Sequence, residues 1–174
     1  MSTVELTPTS YVVLGLLALG GPATSYDLKQ LVAGTVGHFW SFPHTQLYTE
    51  PRRLAALGLV DEEQEEGGRR RRTYTLTAAG RRELEAWLAE PVAGELEIRD
   101  VGLLQLFLHT GDDPASIARL AEVQAEAHRA TLATYEEMAA AAEASGAPDT
   151  PQTAALRLGL AIERAYVTFW DDLG

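Results

Sequence analysis

A chain of 174 residues has room for one domain or two small ones, and its lack of cysteine excludes disulfides, thiolate chemistry and cysteine-ligated zinc. No apolar run reaches the roughly 18 residues of a membrane span, and MSTVELTPTS carries no basic signal segment, so a cytoplasmic protein without a membrane partner is expected. The formal net charge of −11 speaks against a uniform polyanion-binding coat, but residues 1–90 hold 9 Lys/Arg against 11 Asp/Glu and residues 91–174 hold 5 against 14. Six cations of the first half, Arg69 to Arg72 with Arg81 and Arg82, fall within 14 consecutive residues. A phosphate feels charge over a Debye length of about 8–10 Å rather than the molecular sum, so a basic patch beside an acidic half remains compatible with nucleic acid.

In chain order, Thr9 or Ser10 is expected to cap a helix through Leu19 that is apolar nearly all round and so wants burial on more than one side. Gly20-Gly21-Pro22 breaks the chain, and Ser25 is expected to cap a second helix with Leu28, Leu31 and Val32 inward. Residues 34–41 read as a loop, with Phe39, Trp40 and Phe42 forming an aromatic cluster.

From Thr45 the helical count puts Leu47, Pro51 and Leu54 on one side and Thr45, Tyr48, Thr49 and Arg52 on the other. Gly58 suits a left-handed cap. Leu59 and Val60 then open a strand, Glu66-Gly67-Gly68-Arg69 supplies a turn, and Thr73 to Leu76 alternates as a return strand. A helix with a polar outer face beside a hairpin tipped by Arg69 to Arg72 is the layout of a winged helix. Pro51 sits inside the helix by this count, where proline removes a backbone bond, so either a kink or an irregular first turn is expected.

Thr77 is expected to cap a helix carrying Leu84, Trp87 and Leu88 and stopped by Pro91, with Trp87 packed in the core. Residues 91–97 read as a linker. The expected organisation is a DNA-binding domain over 1–90 and a helical dimerisation domain over 98–174. Val101 to Leu108 forms a short apolar helix, and Asp113-Pro114 opens a helix of 31 residues to Ala144, about 46 Å long. Its line of Ile117, Leu120, Gln124, Ala127, Thr131, Tyr135 and Met138 carries modest side chains. Thr150-Pro151 opens a last helix with Leu158, Ile162, Ala165, Tyr166, Phe169 and Leu173 at helical spacing. One short helix cannot cover the long one and also bury its own two-sided surface, so a homodimer is expected, with a monomeric hairpin as the alternative.

Catalytic and metal signatures are weak. The four histidines stand at no metal-ligand spacing, Gly20-Gly21-Pro22 is no phosphate loop, and no serine is paired with a base in a motif. Neither an enzyme nor a cofactor is expected.

The segments HTQLYTEPRRLAALGLV and EEGGRRRRTYTLTAAGRRELEAWL, with SYVVLGLLALGGPATSYDL upstream, resemble the N-terminal region of the PadR family of transcriptional regulators over residues 9–90. The resemblance implies a mainly α fold: a winged helix-turn-helix domain with a two-stranded β-hairpin wing, then an α-helical dimerisation domain. It implies a homodimeric regulator, expected to be a repressor, on a pseudo-palindromic double-stranded operator. Thr45, Gln46, Tyr48, Thr49 and Arg52 would meet the major groove or its phosphates, and Arg69, Arg70, Arg71 and Arg72 the backbone or minor groove. Some relatives bind aromatic effectors, and Phe39, Trp40, Tyr166, Phe169 and Trp170 could line such a pocket, although ordinary core packing explains aromatics equally well. Pro51 departs from the family pattern. The rival reading is a protein-interaction or ligand-sequestering dimer without DNA binding.

Overall fold

The computed structural model describes residues 5–40, 43, 45–65, 71–94, 97–111, 113–146 and 149–174. These fall into two compact units, Met1–Gly94 and Glu95–Gly174.

The first unit begins with α1, Pro8–Gly20, whose cap is Thr7. The expectation of a cap at Thr9 or Ser10 is corrected: Thr7 and Ser10 form a reciprocal capping box, and Pro8 takes the first helical position, where its missing N–H costs nothing. Strand β1, Ala23–Thr24, follows, then α2, Ser25–Ala33. Thr24, not Ser25, caps α2: its hydroxyl accepts from the Asp27 N–H, and the Asp27 carboxylate accepts from the Thr24 N–H. A 3-10 turn, Val36–His38, leads towards α3, Gln46–Ala56. The hairpin is β2, Val60–Gln64, and β3, Arg72–Leu76, and α4, Ala78–Leu88, closes the unit.

The hairpin does not stand alone. Strand β1 pairs antiparallel with the other edge of β3, so the sheet order is β1-β3-β2. Val13, Leu14 and Leu17 of α1 form the centre of the core with Leu28, Leu47, Leu54, Val60, Tyr74 and Leu84. That is the burial an all-round apolar α1 requires. Gly58 has φ 71°, the left-handed conformation expected at the end of α3. At Gly80 a side chain has no room: a Cβ would stand 2.0 Å from the Leu59 carbonyl oxygen. Thr77 fixes the same junction, donating to the Gly58 and Leu59 carbonyls at 2.8 and 3.0 Å while accepting from the Gly80 N–H.

Trp87 corrects an expectation. It is 41% exposed and stacks on Tyr11 with ring centroids 4.5 Å apart, because α4 reaches the core through Gly80 and Leu84 while its last turn runs past the core edge.

The second unit holds α5, Val101–Leu108, α6, Pro114–Ala144, and α7, Pro151–Leu173. Asp100, Asp113 and Thr150 cap the three helices with their side chains. The face of α6 towards α7 is not quite the expected line: Ala121, Ala125 and Tyr135 are buried, whereas Ala127 is exposed. Small residues let α7 approach closely, and Trp170 fills the space beside Ala121 and Ala125. Among the described residues no helix is long and apolar enough to cross a membrane.

Candidate nucleic-acid interface

The outer face of α3 is built from its inner one. Leu47, Pro51 and Leu54 are buried, which turns Thr45, Tyr48, Thr49 and Arg52 outward, all exposed. Pro51 lies mid-helix without breaking the facing. The irregularity sits upstream instead, where Gln46 and Tyr48 donate to carbonyls three residues back, at 2.9 and 3.1 Å. Gln46 is half-buried and its side-chain oxygen accepts from Thr9 at 2.8 Å. Of the expected contact residues on α3 it is the most committed inside the fold.

The inner edge of α3 is anchored by polar groups that helix periodicity does not flag. Buried Ser10 donates to Glu50 at 2.6 Å and accepts from Arg53 at 2.9 Å, and Arg53 pairs with Glu50 at 2.7 Å. Burial pushes the Glu50 carboxyl upwards, but the Arg53 and Ser10 hydrogen bonds and the Arg53 charge outweigh it and hold it below its ordinary value. The hydrogen bond to Glu50 holds Arg53 more firmly protonated. These residues set the angle of α3 against α1. The only sequence signal for them is a pair of hydroxyls, Thr9 and Ser10, at the head of an otherwise apolar helix.

Arg72 on β3 and Arg71 just before it converge with Tyr48 and Arg52 around a hollow of about 580 Å³, completed by Thr24, Ser25, Tyr26, Asp27 and Tyr74. Arg72 pairs with Glu62 across the hairpin. Hydrogen bonds from the Thr24 backbone and hydroxyl hold the Asp27 carboxyl below its usual range, burial slightly opposes them, and the charge of Arg71 adds to them. Burial raises the Tyr74 phenol above its ordinary value; Arg52 works against that shift and Glu62 with it. The expected turn over Glu66-Gly67-Gly68-Arg69, the contact residues Arg69 and Arg70, and Phe42 of the aromatic cluster lie outside the described residues.

The suggested effector residues fall in both units. Phe39 and Trp40 are exposed in the first. In the second, Tyr166 stacks on His128 at 4.3 Å, Phe169 meets Trp170 edge-on at 5.0 Å, and Trp170 is fully buried. The Trp170 indole N–H is the buried side-chain donor without a partner among the described residues, and its ring lines a groove of about 590 Å³ with Ala115, Ala118, Ala121 and Ala125.

A polar-faced helix packed across α1 and α2, flanked by an antiparallel hairpin, defines the first unit as a winged helix. Comparison with known proteins agrees. The family model "Transcriptional regulator PadR-like family" matches residues 13–86, and the model "Virulence activator alpha C-term" matches residues 98–173. The chain is 27% identical over 171 residues to the negative transcriptional regulator PadR of Bacillus subtilis (strain 168), covering 94% of this chain and 93% of that one. The crystal structure of Bacillus subtilis PadR in complex with operator DNA superposes with a TM-score of 0.84 at 25% identity, covering 97% of each chain. The structure of the same protein in complex with p-coumaric acid shares the fold, with a TM-score of 0.74 at 24% identity over 97% of this chain and 96% of that one. Residues 13–86 thus match the PadR-like family of transcriptional regulators, and the chain as a whole is similar to PadR in sequence and fold.

Proposed function

We propose that the protein is a cytoplasmic homodimeric repressor that binds a pseudo-palindromic operator and is released by a small aromatic effector. The observation that carries the DNA reading is the convergence of Tyr48 and Arg52 from α3 with Arg71 and Arg72 from the start of the return strand around one open hollow. Two elements distant in sequence offer three guanidinium groups and a phenol to the same space, which suits a phosphate backbone. In this reading residues 1–90 bind DNA, 91–97 link and 98–174 dimerise. Thr45, Tyr48 and Thr49 meet bases or phosphates from the first turns of α3, Gln46 contributes from its tethered position, and Arg52 and Arg69 to Arg72 position the duplex.

Support for the dimer comes from apolar surface left without a partner. On α5, Val101, Leu104, Phe107 and Leu108 are exposed, and on α7 so are Leu158, Ile162, Phe169 and Leu173. Contiguous apolar helix faces of this kind mark association surfaces. Support for the effector is narrower: a relative of this fold was solved with p-coumaric acid, and this chain holds aromatics of comparable character in Phe39, Trp40, Tyr166, Phe169 and Trp170.

Fluorescence anisotropy of the full-length protein with a duplex spanning the DNA upstream of its own gene tests the proposal. Saturable binding at physiological salt, stronger than to an unrelated duplex and weakened by p-coumarate, is the expected result. Equal and weak binding to both duplexes would leave the winged helix to a protein-interaction role instead.

A further inference from the structure

We propose that Tyr74 and Glu62 are positioning residues that join the wing to α3, presenting Arg52 and Arg72 to DNA at a fixed separation. The inference rests on the DNA-binding reading above. Tyr74 lies on β3 directly opposite Glu62 of β2, in the register that also sets Arg72 against Gln64. Its ring is a core element at 1% exposure, yet the residue also lines the hollow where Tyr48, Arg52, Arg71 and Arg72 meet. The side chain therefore reaches from the core to the floor of the candidate interface. There it shares the lining of the hollow with Arg52 and stands across the hairpin from Glu62, which is in turn the ion-pair partner of Arg72. One phenol can accept from a guanidinium and donate to a carboxylate at the same time. Arg52, Tyr74, Glu62 and Arg72 are thus successive neighbours from α3 to the wing.

The chain has a use that packing alone does not supply. A free arginine side chain loses rotamer freedom when it settles on a phosphate, and holding it beforehand lowers that cost. Phenylalanine would fill the core as well as tyrosine does. Only the hydroxyl offers a polar group to the hollow that Arg52 also lines.

A thermodynamic cycle on the full-length protein tests this, with Tyr74→Phe, Arg52→Ala and the double variant titrated by anisotropy against the upstream duplex. Tyr74→Phe should weaken binding about five- to tenfold, the worth of one ordinary hydrogen bond. In the Arg52→Ala background the same change should cost nothing further, whereas a merely structural tyrosine would cost the same in both. Glu62→Gln leaves the core ring untouched and stands in should Tyr74→Phe fold poorly: its cost should shrink, not vanish, in the Arg52→Ala background, since Glu62 also pairs with Arg72. A second measurement needs no DNA: the heteronuclear NOE of the Arg52 side-chain Nε–Hε should fall in Tyr74→Phe while that of Arg119 on α6 stays put. Wild-type binding with an additive cycle and an unmoved Arg52 signal overturns the proposal. Failure of the wild type to bind any duplex sinks the DNA reading, and the Arg52 signal then decides by itself whether Tyr74 orders that side chain.

Discussion

Ser10 shows how much one buried hydroxyl can settle. It accepts from the Thr7 backbone at 2.8 Å and from Arg53 at 2.9 Å, and it donates to Glu50 at 2.6 Å, so it locks the start of α1 to the middle of α3. Ser10→Ala leaves a half-buried carboxylate short of one donor and should lower stability by about 1–3 kcal/mol in urea unfolding at neutral pH. The pH dependence has a definite sign. Glu50 is held below its ordinary value of 4.5 in the folded state, so its contribution is present above 4.5 and is lost as pH falls through the depressed folded value. The gap between wild type and Ser10→Ala should therefore narrow in acid; a constant gap would mean that packing, not the carboxylate, is what the hydroxyl supports. Tyr48 belongs to the other face. It is 47% exposed, so Tyr48→Phe should leave the melting temperature unmoved while costing about 0.5–1.5 kcal/mol of duplex affinity by anisotropy. A fall in melting temperature with affinity intact would assign the phenol to the fold.

At the scale of elements, periodicity and turn chemistry made much of the fold legible, and the misses have physical reasons. The bounds of α5 and α6 follow from Val101 to Leu108 as an apolar run and from Asp113-Pro114 as a start signal. The same cap-and-proline device stands at Thr7-Pro8, but Thr9 and Ser10 offer competing hydroxyls and only tertiary contacts give those two to Gln46 and Glu50. Strand β1 is two residues long and exists because β3 offers it an edge, so no local pattern announces it. Trp87 follows the helical stripe faithfully, yet a stripe cannot tell where the neighbouring surface ends. The outer face of α3 was readable because Leu47 and Leu54 fix it; the nearness of Arg52 to Tyr74 was not, since the two are 22 positions apart. Two variants test this level. Gly80→Ala should destabilise the protein by about 1–3 kcal/mol on thermal melting, since its Cβ would meet the Leu59 backbone rather than a side chain that can yield. Arg71→Ala should weaken upstream and unrelated duplexes by similar factors and reduce the log–log salt slope by about 0.9, the signature of one lost phosphate contact. An unchanged slope would make Arg71 a partner of Asp27 rather than of DNA.

Over the whole molecule, the acidic second half and its bare apolar faces are parts of one design. A net excess of nine acidic groups beyond residue 90 makes that half unsuited to a phosphate backbone, yet α5 and α7 still expose Phe107, Leu108, Leu158, Ile162 and Phe169. Aliphatic and aromatic side chains in that number, set at helical spacing on helices already packed on one side, are stable in water when a second copy covers them. A two-fold pair needs only one surface, because each copy offers the same face to the other. Multi-angle light scattering at micromolar concentration should therefore return about twice the 18.8 kDa chain mass. Ile162→Glu combined with Phe169→Glu places two carboxylates in the exposed apolar face of α7 and should shift the mass to that of a single chain. Neither position belongs to the first unit's core, so that unit should keep its thermal transition. If the pair exists to set two α3 helices on one duplex, the monomeric variant should lose about a hundredfold in affinity, since the second half-site no longer binds at a high effective concentration. A dimer that survives both glutamates would move the interface to other surfaces, and a monomer that binds the upstream duplex as tightly as wild type would separate dimerisation from DNA recognition altogether.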